Sequence, residues 1–214
     1  MDKMIVCFDL DGTLVDTEAW IKKSEKLAFK KNGIKVTNKE LYSVWGLNLT
    51  TQIKTLYPEL KQKEINKIKK DFEEIRNEKI DLIKPFKNTK RILTNLSKKY
   101  TLCLLSNNSH KKIELILKQT KIDKKLFKLI IGDDEVKRAK PFPDEIYKVE
   151  KKLKKKVKFM VGDTVQDIKT AKAAKVKSII IKTGPKQTWK TLNNADFIIK
   201  DIKELPKLIK EVQK

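Results

Sequence analysis

The sequence lacks long apolar runs. Across 214 residues, no stretch approaches the 18 apolar residues that mark a membrane-spanning helix. The chain enters a short apolar run at once, without a small-residue cleavage site, so no secretory leader is expected. Cysteine is scarce. Cys7 and Cys103 each stand inside an apolar run and read as buried free thiols of a reducing cytoplasm rather than a disulfide. Arginine is scarce beside lysine: Arg76, Arg91 and Arg138 are the only arginines among 51 basic residues. Against 28 acidic residues the formal net charge is +23. Such a field attracts nucleic acid, anionic membrane or phosphorylated substrates. Base readers and phosphate clamps, however, use the planar Arg fork, and the lysines here are scattered through every segment. That pattern fits AT-rich coding or a high working temperature better than specific nucleic-acid binding. The expectations are no specific nucleic acid, no membrane, and a cytoplasmic monomer.

What is present is enough to build a core. Hydrophobic residues make up 39% of the chain and charged residues 37%, outside the disordered range. The run Met4–Leu10 is too short for a helix and leads into Asp11-Gly12-Thr13, a turn, so it reads as a buried parallel strand. From Thr17 to Asn32, Trp20, Ile21, Ser24, Leu27, Ala28 and Lys31 follow helical spacing, and Asn32-Gly33 closes the helix. Further helices are predicted over 39–45, 50–57 and 62–79, with no strand-like alternation.

After Pro85, helix and strand alternate. Helices are predicted over 89–99, 111–119, 143–153, 165–174 and 204–212. Strands are predicted over 100–105, 129–132, 157–161, 178–181 and 197–199. Strands spaced by such helices imply right-handed crossovers and a parallel sheet covered on both faces. The expected architecture is α/β: a Rossmann-like parallel-sheet core of residues 1–15 and 86–214, with a small helical domain, 16–85, inserted after the first strand. The inserted part carries a net charge of +5 and residues 86–214 carry +20.

In open parallel sheets, ligands bind beyond the carboxyl ends of the strands. The polar residues just past each predicted strand are Asp9 and Asp11, Ser106 and Asn107, Asp133 and Asp134, and Asp163. Lys140 stands in a further loop, Lys140-Pro141-Phe142-Pro143. Gathered carboxylates repel one another, and Mg²⁺, which takes a few carboxylates plus phosphate oxygens and water, relieves that repulsion. A hydroxyl at Ser106 and a point charge at Lys140 complete a set suited to phosphoryl chemistry. Asp133 and Asp134 fit loop or helix-capping roles better than ligand roles, and His110 reads as an exposed first-turn residue.

These residues resemble the four motifs of the haloacid dehalogenase superfamily. Asp9-Leu10-Asp11-Gly12-Thr13-Leu14 is similar to its first motif and Ser106-Asn107 to its second. Lys140-Pro141-Phe142-Pro143 is similar to its third, and Gly162-Asp163-Thr164-Val165-Gln166-Asp167 to its fourth. Each alone is weak; all four in order, at strand ends or adjoining loops, are specific. The helical insertion resembles the cap of the subgroup with small phosphatases and β-phosphoglucomutase.

The resemblance implies a Mg²⁺-dependent phosphatase acting on a small phosphorylated metabolite. Asp9 would be the nucleophile that forms an aspartyl-phosphate, and Asp11 the general acid and base. Ser106, Asn107, Lys140 and the backbone near Gly12 would hold the phosphoryl oxygens. Asp9, Asp11 (through its carbonyl), Asp163 and Asp167 (directly or through water) would hold the metal. Asp167 also fits a helix-start charge, and Ser106 a helix cap. The cap would close over the site. Trp45-Gly46-Leu47-Asn48 either forms a substrate-specificity loop or packs the cap through Trp45. The alternatives are a sugar phosphomutase, which usually carries a His where this chain has Ile21, and a basic nucleic-acid-binding protein.

Overall fold

Ile5, Val6, Cys7 and Phe8 are all buried, without the alternation of a strand that has one wet face. Such a run forms the centre of a parallel sheet covered on both sides. A computed structural model describes residues 3–212 and places the run as strand β1 (Ile5–Phe8). Met1, Asp2, Gln213 and Lys214, which the sequence reading assigns to the core, lie outside the described residues. The chain divides into two units, Met1–Asp16 with Lys84–Lys214, and Thr17–Ile83.

The first unit begins with β1 and the short β2 (Val15–Asp16), and resumes at β3 (Lys84–Pro85). β2 and β3 pair antiparallel, Val15 opposite Pro85 and Asp16 opposite Lys84. The sequence pattern does not predict this ribbon, because two-residue strands carry no periodicity. Beyond it lie β4 (Thr101–Ser106), β5 (Phe127–Gly132), β6 (Val157–Gly162), β7 (Lys177–Ile181) and β8 (Phe197–Ile199). They join β1 in one sheet of order β5-β4-β1-β6-β7-β8, and every neighbouring pair is parallel. The α/β parallel-sheet core expected from the alternating pattern is the one the chain forms.

Ile5, Cys7, Cys103, Leu105, Ile131 and Met160 share one sheet face. They pack against Ile146 and Val149 of the helix over Asp144–Leu153 and Ala171 of the helix over Val165–Ala173. Cys7 and Cys103 are both free and buried there. The alternate residues Val6, Phe8, Leu102 and Leu104 are buried on the other face. The helix over Thr89–Ser97 lies against β4, and the one over His110–Thr120 against β5.

The second unit is helical: α1 (Glu18–Lys31), α2 (Asn38–Ser43), α3 (Leu49–Leu56) and α4 (Gln62–Glu78). In the first unit the α-helices are α5 (Thr89–Ser97), α6 (His110–Thr120), α7 (Asp144–Leu153), α8 (Val165–Ala173) and α9 (Leu205–Val212). α2 opens with a capping box: Thr37 Oγ1 accepts from the Glu40 N–H at 3.2 Å, and Glu40 accepts from the Thr37 N–H at 2.7 Å. Ala28, Phe29, Leu41, Ile53, Ile65, Ile68 and Phe72 form the unit's apolar core. The buried stripe of α1 departs from the predicted one. Trp20, Ser24 and Ala28 face inward as expected, but Glu25 and Phe29 complete the stripe while Leu27 is exposed. The buried Arg76 explains part of this. Its guanidinium stacks 4.5 Å from the Trp20 ring and 5.0 Å from Phe72, and its charge favours Glu25 on the same side.

Candidate active site

Parallel strands end on one edge of the sheet, and the loops leaving β1, β4, β6 and β7 there bring together residues far apart in sequence. Asp9 follows β1 directly, and its N–H donates to the Val161 carbonyl of β6 at 2.8 Å. Asp163 follows β6 and is buried. Thr13 bridges the two: its hydroxyl lies 2.9 Å from Asp9 Oδ2 and 3.0 Å from Asp163 Oδ1. With one proton to share, Thr13 ties the two carboxylates to a common point.

Asp167 stands one helical turn on, at the start of α8. Its Oδ2 accepts from the Thr164 hydroxyl at 2.7 Å and the Thr164 N–H at 3.1 Å. The helix-start role and the site role therefore coexist, because its Oδ1 accepts from Lys140 at 2.9 Å. Lys140, also buried, donates in addition to Asp9 Oδ1. Asp9, Asp163 and Asp167 present oxygens that all lie within 4.8 Å of one another, and all three residues are buried.

The electrostatics follow from this crowding. Burial pushes the Asp9 carboxyl up to about 7; Lys140 works against that rise, and Asp167 and Asp11 add to it. Burial, then the charges of Asp9 and Asp167, hold Asp163 well above the usual carboxylate range. Burial alone would lower Lys140, but Asp167, Asp9 and Glu145 hold it well above its ordinary value. Three carboxyl groups face one ammonium in a dry place, and a cation among them would favour their ionised forms. Asp163 Oδ2 is buried with no hydrogen-bond partner, an arrangement that costs free energy unless something cationic sits against it. These oxygen donors suit a hard divalent cation.

Asp11 points elsewhere. Its Oδ2 accepts from Asn108 Nδ2 and lies 3.4 Å from Ser106 Oγ, so its carboxylate stands apart from the trio. Ser106, the last residue of β4, is buried. Asn107 donates to the Lys140 carbonyl at 3.2 Å and so links the β4 loop to the lysine loop. Gly12 has φ +76°, and a Cβ there would overlap the Asp163 carboxylate. Its N–H donates to Val15 O within the loop, and its missing Cβ leaves room for the Asp163 carboxylate.

Asp134 is a cap: its Oδ1 accepts the first N–H of α6, from His110, at 2.9 Å. His110 is partly exposed and pairs with Glu135 at 2.9 Å. Sequence reasoning missed Thr13, Asn108, Thr164 and Glu145. Glu145, in the first turn of α7, is fully buried with neither carboxylate oxygen hydrogen-bonded. Burial, partly offset by Lys140, raises it to about 8. No local pattern marks these four, since single polar residues acquire their roles only when the strand ends converge. Thr13 and Thr164, inside the quoted motifs, were the closest to being legible.

A parallel sheet with acidic residues and a buried lysine gathered at its carboxyl edge is the arrangement of an α/β protein with a polar site beyond its strand ends. The chain belongs to the haloacid dehalogenase-like hydrolases, whose family model matches residues 6–181. It is similar to the pyrophosphatase PpaX of Oceanobacillus iheyensis, 28% identical over 205 residues, covering 94% of each chain. It is also similar to the bifunctional riboflavin kinase/FMN phosphatase of Arabidopsis thaliana, 26% identical over 204 residues. That match takes in 94% of this chain but 54% of the plant protein, so the chain spans about half of that relative. Among solved structures, a predicted phosphoglycolate phosphatase from Haemophilus somnus superposes with a TM-score of 0.84 at 25% identity, covering 97% of this chain and 98% of that one.

Proposed function

We propose that the chain is a Mg²⁺-dependent phosphatase that hydrolyses a small phosphorylated metabolite through an aspartyl-phosphate. The observation that carries this reading is the buried trio Asp9, Asp163 and Asp167, with Lys140 among them and Asp163 Oδ2 left unpartnered. The relatives, a pyrophosphatase, an FMN phosphatase and a predicted phosphoglycolate phosphatase, support a small phosphorylated substrate.

Asp9, Asp163, the Asp11 carbonyl and Asp167, directly or through water, would hold the cation. When bound, it supplies positive charge that screens the phosphoryl group from the carboxylates around it. Asp9 attacks phosphorus, the ester P–O bond breaks, and the leaving oxygen takes a proton from Asp11. Water then attacks phosphorus while Asp11 accepts a proton from it, the bond between Asp9 and phosphorus breaks to restore the carboxylate, and inorganic phosphate leaves. Asn108 and Ser106 aim the Asp11 carboxyl. Lys140 gives two of its three donors to Asp9 and Asp167, and the third is assigned to a phosphoryl oxygen. Ser106 and Asn107 supply further donors there. In this reading the helical unit serves as the cap and carries the choice of substrate. Ile21, at the place aligned with the mutase histidine, favours hydrolysis over phosphomutase chemistry.

The test is a panel of phosphorylated metabolites assayed for phosphate release with Mg²⁺, with excess chelator, and with Asp163→Ala. Release that needs Mg²⁺ and is lost in the variant supports the reading. Full activity in chelator would rule out this site.

A further inference from the structure

Beyond β7, the residues Thr183 and Gly184 return to the first motif across about 170 residues of sequence. Thr183 Oγ1 donates to the Gly12 carbonyl. Its own N–H donates to Ile181 O at 2.8 Å, and the hydroxyl lies 3.3 Å from the same carbonyl. Gly12 is therefore held at both backbone groups, its N–H by Val15 O and its C=O by Thr183. Gly12 lies at φ +76° against the Asp163 carboxylate. On either side of it stand Asp11 and Thr13, and the Thr13 hydroxyl spaces Asp9 from Asp163. Gly184 completes the arrangement: a Cβ there would overlap Asp163 Oδ2, the buried oxygen without a partner. Its carbonyl is fixed by Trp189 Nε1 at 3.0 Å.

We propose that Thr183 is a positioning residue of the metal centre: by holding the Gly12 carbonyl, it fixes the Asp11–Thr13 loop and with it the Asp9–Asp163 spacing. The inference rests on the reading that Asp9 and Asp163 hold a divalent cation. Thr183 touches neither the cation nor the substrate in this scheme. Its loss frees the Gly12 carbonyl and lets the loop relax, so the carboxylates no longer stand ready at one spacing. Partners bonded directly to metal ligands change metal affinity by about 10–100-fold when removed, and Thr183, one bond further out, is placed at the lower end of that range.

The experiment is titration of the purified full chain with Mn²⁺ alone, followed by calorimetry and by the manganese spin signal. Wild type, Thr183→Val, Thr183→Ser and Asp163→Ala are compared, with the metal-free melting temperature measured for each. Thr183→Val is expected to bind Mn²⁺ about 10-fold or more weakly at a near-unchanged melting temperature. Thr183→Ser, which keeps the hydroxyl, is expected to bind close to wild type. Wild-type affinity in Thr183→Val, or a loss that serine does not rescue, overturns the proposal. If wild type and Asp163→Ala bind Mn²⁺ alike, the metal-site reading itself fails and the proposal falls with it.

Discussion

Asp9 and Glu25 are both buried carboxyls raised by desolvation, but their surroundings give them different consequences. Asp9 faces Lys140 and Thr13 at the sheet edge. Asp9→Asn keeps the shape and the acceptor oxygen but cannot form an acyl-phosphate, so it is expected to abolish turnover while the melting temperature holds. Phosphate release by purified Asp9→Asn at the wild-type rate would sink the mechanism. Glu25, inside the helical unit, has an oxygen without a partner, and burial raises its carboxyl to about 8 despite Gln52 and Arg76. The folded state thus keeps a proton that the unfolded chain releases near pH 4.5. Stability from this group is full below that value and declines as pH rises toward 8. Glu25→Gln is expected to flatten the fall in melting temperature across that window; an equally steep fall in the variant would contradict the assignment. At this scale the candidate site was legible where a polar residue closes an apolar run, as at Asp9, Asp163 and Ser106. It was not legible at Glu145 or Asn108, nor was the buried Glu25 of the helical unit. A buried acid inside a helix reads from sequence as a solvated charge until packing encloses it.

Elements were more legible than residues because strand and helix have distinct apolar periods. The run Ile5–Phe8 is apolar throughout and became the central strand. The apolar pattern of α1 points one step around the helix, toward Leu27, because Glu25 counts as polar although it is buried. Helix starts depend on groups that can lie elsewhere in the chain. α6 has Ser109 at its N-cap with no side-chain cap bond; Asp134, from the loop after β5, accepts the His110 N–H instead. That bond also ties the β5 loop to the start of the helix following Ser106. Asp134→Ala is expected to destabilise the chain by about 0.5–1 kcal/mol. Denaturant unfolding checks this. An unchanged midpoint would mean that water caps α6 equally well. Such a cap, 24 residues away, has no signature in the local window around His110.

The whole molecule carries +23, and residues 86–214 carry +20 of it. The charge sets two behaviours that respond differently to salt. Most lysines are exposed, long and spread over all segments, so their attraction to a polyanion is a diffuse field rather than a set of shaped contacts. Duplex DNA is expected to bind weakly, without sequence preference, and to be released steeply as counterions compete. Screening acts beyond about 8 Å at physiological ionic strength. The chemistry at the sheet edge is of another kind. Lys140 is 6% exposed and Ser106 1% exposed, and in the proposed reaction both would act at contact distance, where screening by mobile ions is weak. Turnover of a small phosphate ester is therefore expected to change little from low to physiological salt while DNA affinity falls by orders of magnitude. Measuring Kd for DNA and kcat/KM on one preparation across that range separates the two. Sequence-selective DNA binding that persists at physiological salt, together with no turnover of any small ester, would make the lysine surface the working part of the molecule and the buried carboxylates a structural relic.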